Sequence, residues 1–141
     1  MVVISRSLLA AAIFSCVSAF AVCAPGNVLE HLVKAAPGRD ARVGIYTDIR
    51  PDCTSGPLPA IRLVAAPAHG AVTVKRGTLK ATNFKQCLAT EAPAFVAFYR
   101  ANKGFTGTDT FALEVTWPSG RKELQRFRVN VASGAAGSQG I

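Results

Sequence analysis

Three features predict an all-β fold, an antiparallel β-sandwich of about seven strands preceded by a signal peptide. Apolar residues recur at every second position in several segments between residues 42 and 131. Glycine and proline clusters punctuate the chain at intervals of about 8 to 15 residues. Only residues 27–38 admit a helical reading. A helical bundle is excluded, whereas an OB-type barrel fits the same spacing. The chain divides into a signal peptide at 1–21, a lead segment at 22–40, a sandwich domain at 41–132 and a flexible tail at 133–141.

The start of the chain, MVVISRSLLAAAIFSCVSAFAVCA, has one early charge, Arg6, followed by an apolar or small-residue run. Ala19-Phe20-Ala21 supplies an A-x-A cleavage pattern, which places the cut after Ala21. The run is marginal for a span of ~20 residues, and no basic cytoplasmic cluster follows it. The mature chain is therefore expected in the periplasm or medium, with no transmembrane span. Lipidation at Cys23 is a weaker rival, because Val22 stands where lipoprotein signals carry a small residue.

In NVLEHLVKAAPG, Val28, Leu32 and Ala35 or Ala36 fall near one helical face, but an edge strand fits equally well. ARVGIYTDI sets Val43, Ile45, Thr47 and Ile49 against Arg42, Gly44, Tyr46 and Asp48, a half-buried strand. RPDCTSGPLP is a turn region. Ile61, Leu63 and Ala65 mark a short strand, PAHG turns it, and Val72 and Val74 alternate in the next. KRGTLKATNFKQCLATEAP reads as a connection holding one short strand around residues 78–81. AFVAFYR is apolar on both faces, as a central strand is. Phe111, Leu113 and Val115 share a face, as do Phe127, Val129 and Val131; Leu124 opposes Arg126 only if a bulge intervenes. The closing ASGAAGSQGI has nothing to bury.

Cys16 leaves with the leader, so Cys23, Cys53 and Cys87 remain. Cys53 and Cys87 lie at the margins of expected strands, and export permits a disulfide between them. Cys23 is then the odd thiol, available for a disulfide-linked dimer or for pairing with Cys53 or Cys87. No C-x-x-C pair is present, which argues against a thiol oxidoreductase.

Pro67-Ala68-His69-Gly70-Ala71-Val72, Phe98-Tyr99 and then Gly104-Phe105-Thr106-Gly107-Thr108-Asp109-Thr110-Phe111-Ala112-Leu113-Glu114-Val115 carry a resemblance. This pattern resembles the signature of bacterial immunoglobulin-like and cadherin-like repeats, and covers about residues 60 to 116. Ala101 stands where the family usually has proline, and Leu113 where it often has tyrosine. The resemblance implies an immunoglobulin-like sandwich with an adhesion, spacing or binding role. Family members mostly form tandem arrays, whereas this chain carries one copy.

Physically, the stretch makes a structural corner from Gly104, Phe105, Gly107, Asp109 and Phe111. Gly104 and Gly107 permit positive φ, Phe105 can plug the gap between sheets, and Asp109 can accept backbone N–H bonds of the turn. Calcium is the rival role for Asp109, but calcium needs several converging oxygens and no acid lies within four residues.

Catalysis has little to build on. His31 and His69 are the only histidines, and neither has a local partner at zinc spacing. Asp48, Asp52, Glu91, Glu114 and Glu123 are scattered, and no G-x-S-x-G elbow, phosphate loop or dinucleotide fingerprint occurs. The expectation is a non-enzyme with no cofactor and no bound metal; a metal-dependent enzyme assembled from distant residues is the weaker alternative.

The formal charge is +8 and becomes about +7 once Arg6 is removed. Lys75, Arg76, Lys80 and Lys85 form one basic cluster, and Arg121, Lys122, Arg126 and Arg128 another. A solvated outer face explains both; an anion-binding surface for an acidic envelope polymer such as lipopolysaccharide is the functional alternative. Nucleic acid is not expected, because export and the inward phase of Phe127 remove the stacking platform such binding uses. A protein partner fits the resemblance equally well.

Overall fold

The computed structural model describes residues 27–80, 86–88 and 90–134. The expected signal peptide, Cys23, Lys85 and most of the tail lie outside the described residues. Seven strands form two sheets: β1 (Asn27–Ala35), β2 (Asp40–Tyr46), β3 (Ala60–Ala65), β4 (Gly70–Lys80), β5 (Glu91–Ala101), β6 (Gly107–Thr116) and β7 (Lys122–Val131). One sheet has the order β1-β7-β6-β3 and the other β2-β5-β4. No helix occurs among the described residues.

The core lies between the sheets. Strict alternation buries Phe111, Leu113 and Val115 of β6 and Phe127, Val129 and Val131 of β7. Facing them are small residues of the second sheet, Ala41 on β2 and Ala97 and Ala101 on β5, with Tyr99 among them. Large against small lets the layers interdigitate at interior density. Phe111 and Phe127 are directly opposite in register and their rings stack at 4.5 Å. Tyr99 continues this row from the second sheet and His31 from β1, each stacked on its neighbour.

Several expectations need correction. Asn27–Ala35 is a strand and part of the sandwich rather than a lead segment outside it. It pairs in parallel with β7, so the sandwich is not wholly antiparallel. Residues 75–80 continue β4 instead of forming a connection. They are exposed on both faces at a sheet edge, so burial imposes no alternation there, and Lys75, Arg76 and Lys80 charge that edge. The pairing of β7 with β6 is unbroken, with no bulge near Leu124; Leu124 shares the outward face with Arg126, and Glu123 and Gln125 point inward.

A further correction concerns β2. Arg42 pairs with Phe98 and Gly44 with Ala97, so Val43 is an extra, bulged residue. A bulge reverses the alternation downstream of it. Tyr46, expected on the outer face, is therefore buried.

Cys53 and Cys87 form a disulfide that ties the β2–β3 connection to the segment entering β5, across 34 residues. Reduction of this bridge is expected to lower the unfolding free energy by about 4 kcal/mol, read as a lower urea midpoint with an unchanged strand signal in circular dichroism. An unchanged midpoint would contradict a stabilising role.

Candidate functional site

Asp109 sits at the start of β6 and is buried, at 3% exposure. Its Oδ1 accepts from the backbone N–H of Ala68 at 3.1 Å and of Thr110 at 3.0 Å. Its Oδ2 accepts from the N–H of His69 at 3.0 Å and from the Tyr99 hydroxyl at 2.8 Å. Four donors match the roughly four lone-pair positions of a carboxylate. Burial pushes its pKa up, but the bonds from Tyr99, His69, Thr110 and Ala68 outweigh that and hold it below the ordinary 3.8. Burial and the neighbouring carboxylate push Tyr99 far up, so its hydroxyl remains a donor at any physiological pH.

These contacts join three parts of the fold. Asp109 belongs to the first sheet, Tyr99 to the second, and Ala68-His69 to the turn carrying the chain between them. The same turn is gripped twice more: the Asn102 N–H donates to the His69 carbonyl at 2.8 Å, and the His69 ring stacks on Phe105 at 4.2 Å. Phe105 is half-buried against the core. Gly104 and Gly107 adopt positive φ (79° and 129°), which lets the chain fold back so that Phe105 meets His69. Gly70 has a different role: a Cβ there would lie 2.5 Å from the Arg100 carbonyl oxygen and press on the Tyr99 ring. Close approach, rather than an unusual dihedral, requires that glycine.

The basic residues do not form one surface. Lys75 and Arg76 are adjacent on β4 and project to opposite faces. Lys75 lies over the Phe98 ring, and Arg76 lines the gap beside Ile61 and Phe95. Lys80 ends β4 opposite Glu91. In the second cluster Arg121 pairs with Glu123 and Arg126 with Glu30. Lys122 and Arg128 make no ion pair among the described residues; both project outward from β7.

Sequence reasoning missed a second group of polar residues, where the edges of β1 and β2 leave a cleft of about 230 Å³. His31, Arg42, Val43, Gly44, Ile45, Tyr46, Trp117 and Gln125 line it. The Tyr46 hydroxyl donates to Gln125 Oε1 at 2.6 Å, and Gln125 Nε2 donates to Glu123 Oε2 at 3.3 Å. Arg121 closes this chain, 3.1 Å from Glu123 and over the Trp117 ring. Burial, and then the charge of Glu123, push Tyr46 up to about 12. His31 Nε2 and Trp117 Nε1 are both shielded from solvent and have no hydrogen-bond partner among the described residues. Such orphaned groups cost about 1–3 kcal/mol each. One signal was available: the inward phase of Phe127, Val129 and Val131, extended back along β7, falls on Gln125 and Glu123.

Among the described residues no group of three or more His, Cys, Asp or Glu side chains could hold a metal ion. No family model matches the chain, and no curated protein matches it. The solution structure of Amebosin is similar over 77% of this chain and 99% of its own, at 11% identity and a TM-score of 0.39, a level that carries no argument.

Asp109→Ala strands four donors, two of them on the inter-sheet turn, and is expected to lower stability by about 3 kcal/mol or more, measured by urea unfolding with and without a chelator. The loss should be equal in both. A depressed folded-state pKa means that the carboxylate's stabilisation is complete above the unfolded value and is lost as pH falls through the folded one. Wild type should therefore lose urea resistance below about pH 4 more steeply than Asp109→Asn; parallel pH profiles would refute the assignment.

Proposed function

We propose that the chain is a non-enzymatic, exported immunoglobulin-like module with a binding or structural role in a bacterial periplasm or at the cell surface. The carrying observation is the saturated carboxylate of Asp109. Its oxygens are spent on two turn amides, its own neighbour and a cross-sheet hydroxyl, so the most organised motif in the sequence serves the architecture. Neither calcium ligation nor proton transfer finds an open lone pair there.

The strand order supports the immunoglobulin-like reading. The orders β2-β5-β4 and β7-β6-β3 correspond to the second, fifth and fourth strands and the seventh, sixth and third of that sandwich. The first strand joins the last in place of the second. Export is supported by the A-x-A pattern at 19–21 and by a disulfide, which oxidising compartments preserve. An acidic-polymer surface draws less support, because its arginines are divided between faces and two of them are matched by Glu30 and Glu123.

Expressed in a bacterium, the chain should be recovered from the periplasm or medium beginning at Val22, with Cys53 and Cys87 oxidised, by intact mass and peptide mapping. Full-length reduced chain in the cytosol would overturn the proposal.

A further inference from the structure

We infer that β4 is a docking edge for an extended acidic segment of a partner protein, taken up as a further strand of its sheet. This deepens the binding reading above and rests on it.

Both sheets end in open edges, and the edges differ. β2 is interrupted by the bulge at Val43, and the pairing of β3 slips between Leu63 and Ala65. Bulges of this kind discourage a further strand. β1 and β4 keep an unbroken register with their neighbours over nine and eleven residues. Charge separates these two. β1 sets Glu30 against Lys34, whereas β4 carries Lys75, Arg76 and Lys80 and no acid. In an antiparallel pair alternate residues turn both N–H and C=O toward the neighbour, so half of the β4 backbone groups face away from β5. No strand meets them among the described residues.

The space beside that edge dictates what a docked strand must carry. Val74 and Arg76 lie opposite Ala97 and Phe95, so both take the inward phase. With Leu58, Ile61 and Phe95 they line a groove of about 600 Å³ between the β3 and β4 sides of the sandwich. Arg76 thus faces a largely apolar groove, with neither a hydrogen bond nor an ion pair among the described residues. An added strand presents alternate side chains to that face. An apolar residue opposite Val74 fills the groove, and a carboxylate opposite Arg76 accepts the paired N–H bonds that a guanidinium offers. Lys75, on the outer face, meets a second acid.

A second copy of this chain lacks that chemistry. Two β4 edges side by side would set Lys75, Arg76 and Lys80 against the same three cations. The charges that bar self-pairing admit an acidic strand.

The test uses the oxidised mature chain and a capped peptide, Glu-Thr-Val-Thr-Glu-Glu-Val-Thr. Antiparallel to β4, this peptide sets valine against Val74 and glutamate against Lys75, Arg76 and Lys80. One control replaces glutamate by lysine; another is N-methylated at its threonines and valines, which keeps the charges and removes the ladder donors. NMR titration is expected to show saturable binding of the acidic peptide, with Kd on the order of 0.1–1 mM, and slowed exchange at alternate β4 amides. The lysine peptide should not bind, and the N-methylated one should bind at least tenfold more weakly. Arg76→Glu, at an exposed position, should weaken the acidic peptide tenfold or more. Arg76→Gln should show a loss of the same direction if the reversal does not fold. No saturable binding, equal binding of the N-methylated peptide, protection at β1 or β3 instead, or protection of β4 by self-association without peptide overturns the proposal. Those outcomes leave the mature N-terminus and compartment of the chain as they are, so failure here is distinguishable from failure of the exported-module reading.

Discussion

A carboxylate buried between two β-sheets is destabilising unless every lone pair is met, and Asp109 meets that condition with protein donors alone. Much of the surrounding sequence follows from this constraint. Tyr99 must reach across the layers, so Gly70 must lack a Cβ where that ring passes. The Ala68 and His69 amides must turn toward β6, so the turn is held a second time by Asn102 and a third by Phe105. Phe105 can fold over His69 only because Gly104 and Gly107 accept positive φ. The corner and the preceding inter-sheet turn are one unit.

Toward the other end of the strands the device is repeated with neutral groups. The chain has two tyrosines, and each donates from the second sheet to a buried polar acceptor in the first: Tyr99 to Asp109 on β6, and Tyr46 to Gln125 on β7. Between them runs the aromatic row of Tyr99, Phe111, Phe127 and His31. The two polar groups differ in how completely they are satisfied. At Asp109 all acceptor capacity is used, whereas beside Tyr46 two sealed ring nitrogens lack partners among the described residues.

Legibility in the sequence followed contrast between the two faces of each strand. Phe111-Leu113-Val115 and Phe127-Val129-Val131 recur at every second position, alternating with polar residues except at Ala112, and were readable as core. The Cys53–Cys87 pairing was readable from turn-rich flanks. β4 gave little signal because its Lys75–Lys80 half is exposed on both faces. β1 stayed open between helix and edge strand, and it is an edge strand; its inward residues are His31, Val33 and Ala35 and its exposed face carries Leu32, so polarity does not separate the faces. Tyr46 was misplaced by a one-residue bulge, and Glu123 and Gln125 were overlooked because they are polar residues in an inward phase. Asp109 was recognisable as an acceptor, but two of its partners lie 40 and 41 residues away, beyond any local pattern.

Hydrogen exchange at the Ala68 and His69 amides tests the central claim most directly. Both residues are exposed at the surface, so without an internal acceptor their N–H groups would exchange as freely as any loop amide. The structure predicts slow exchange at both positions, approaching that of the β5 and β6 core. Exchange at unprotected loop rates in the folded, oxidised chain would contradict it.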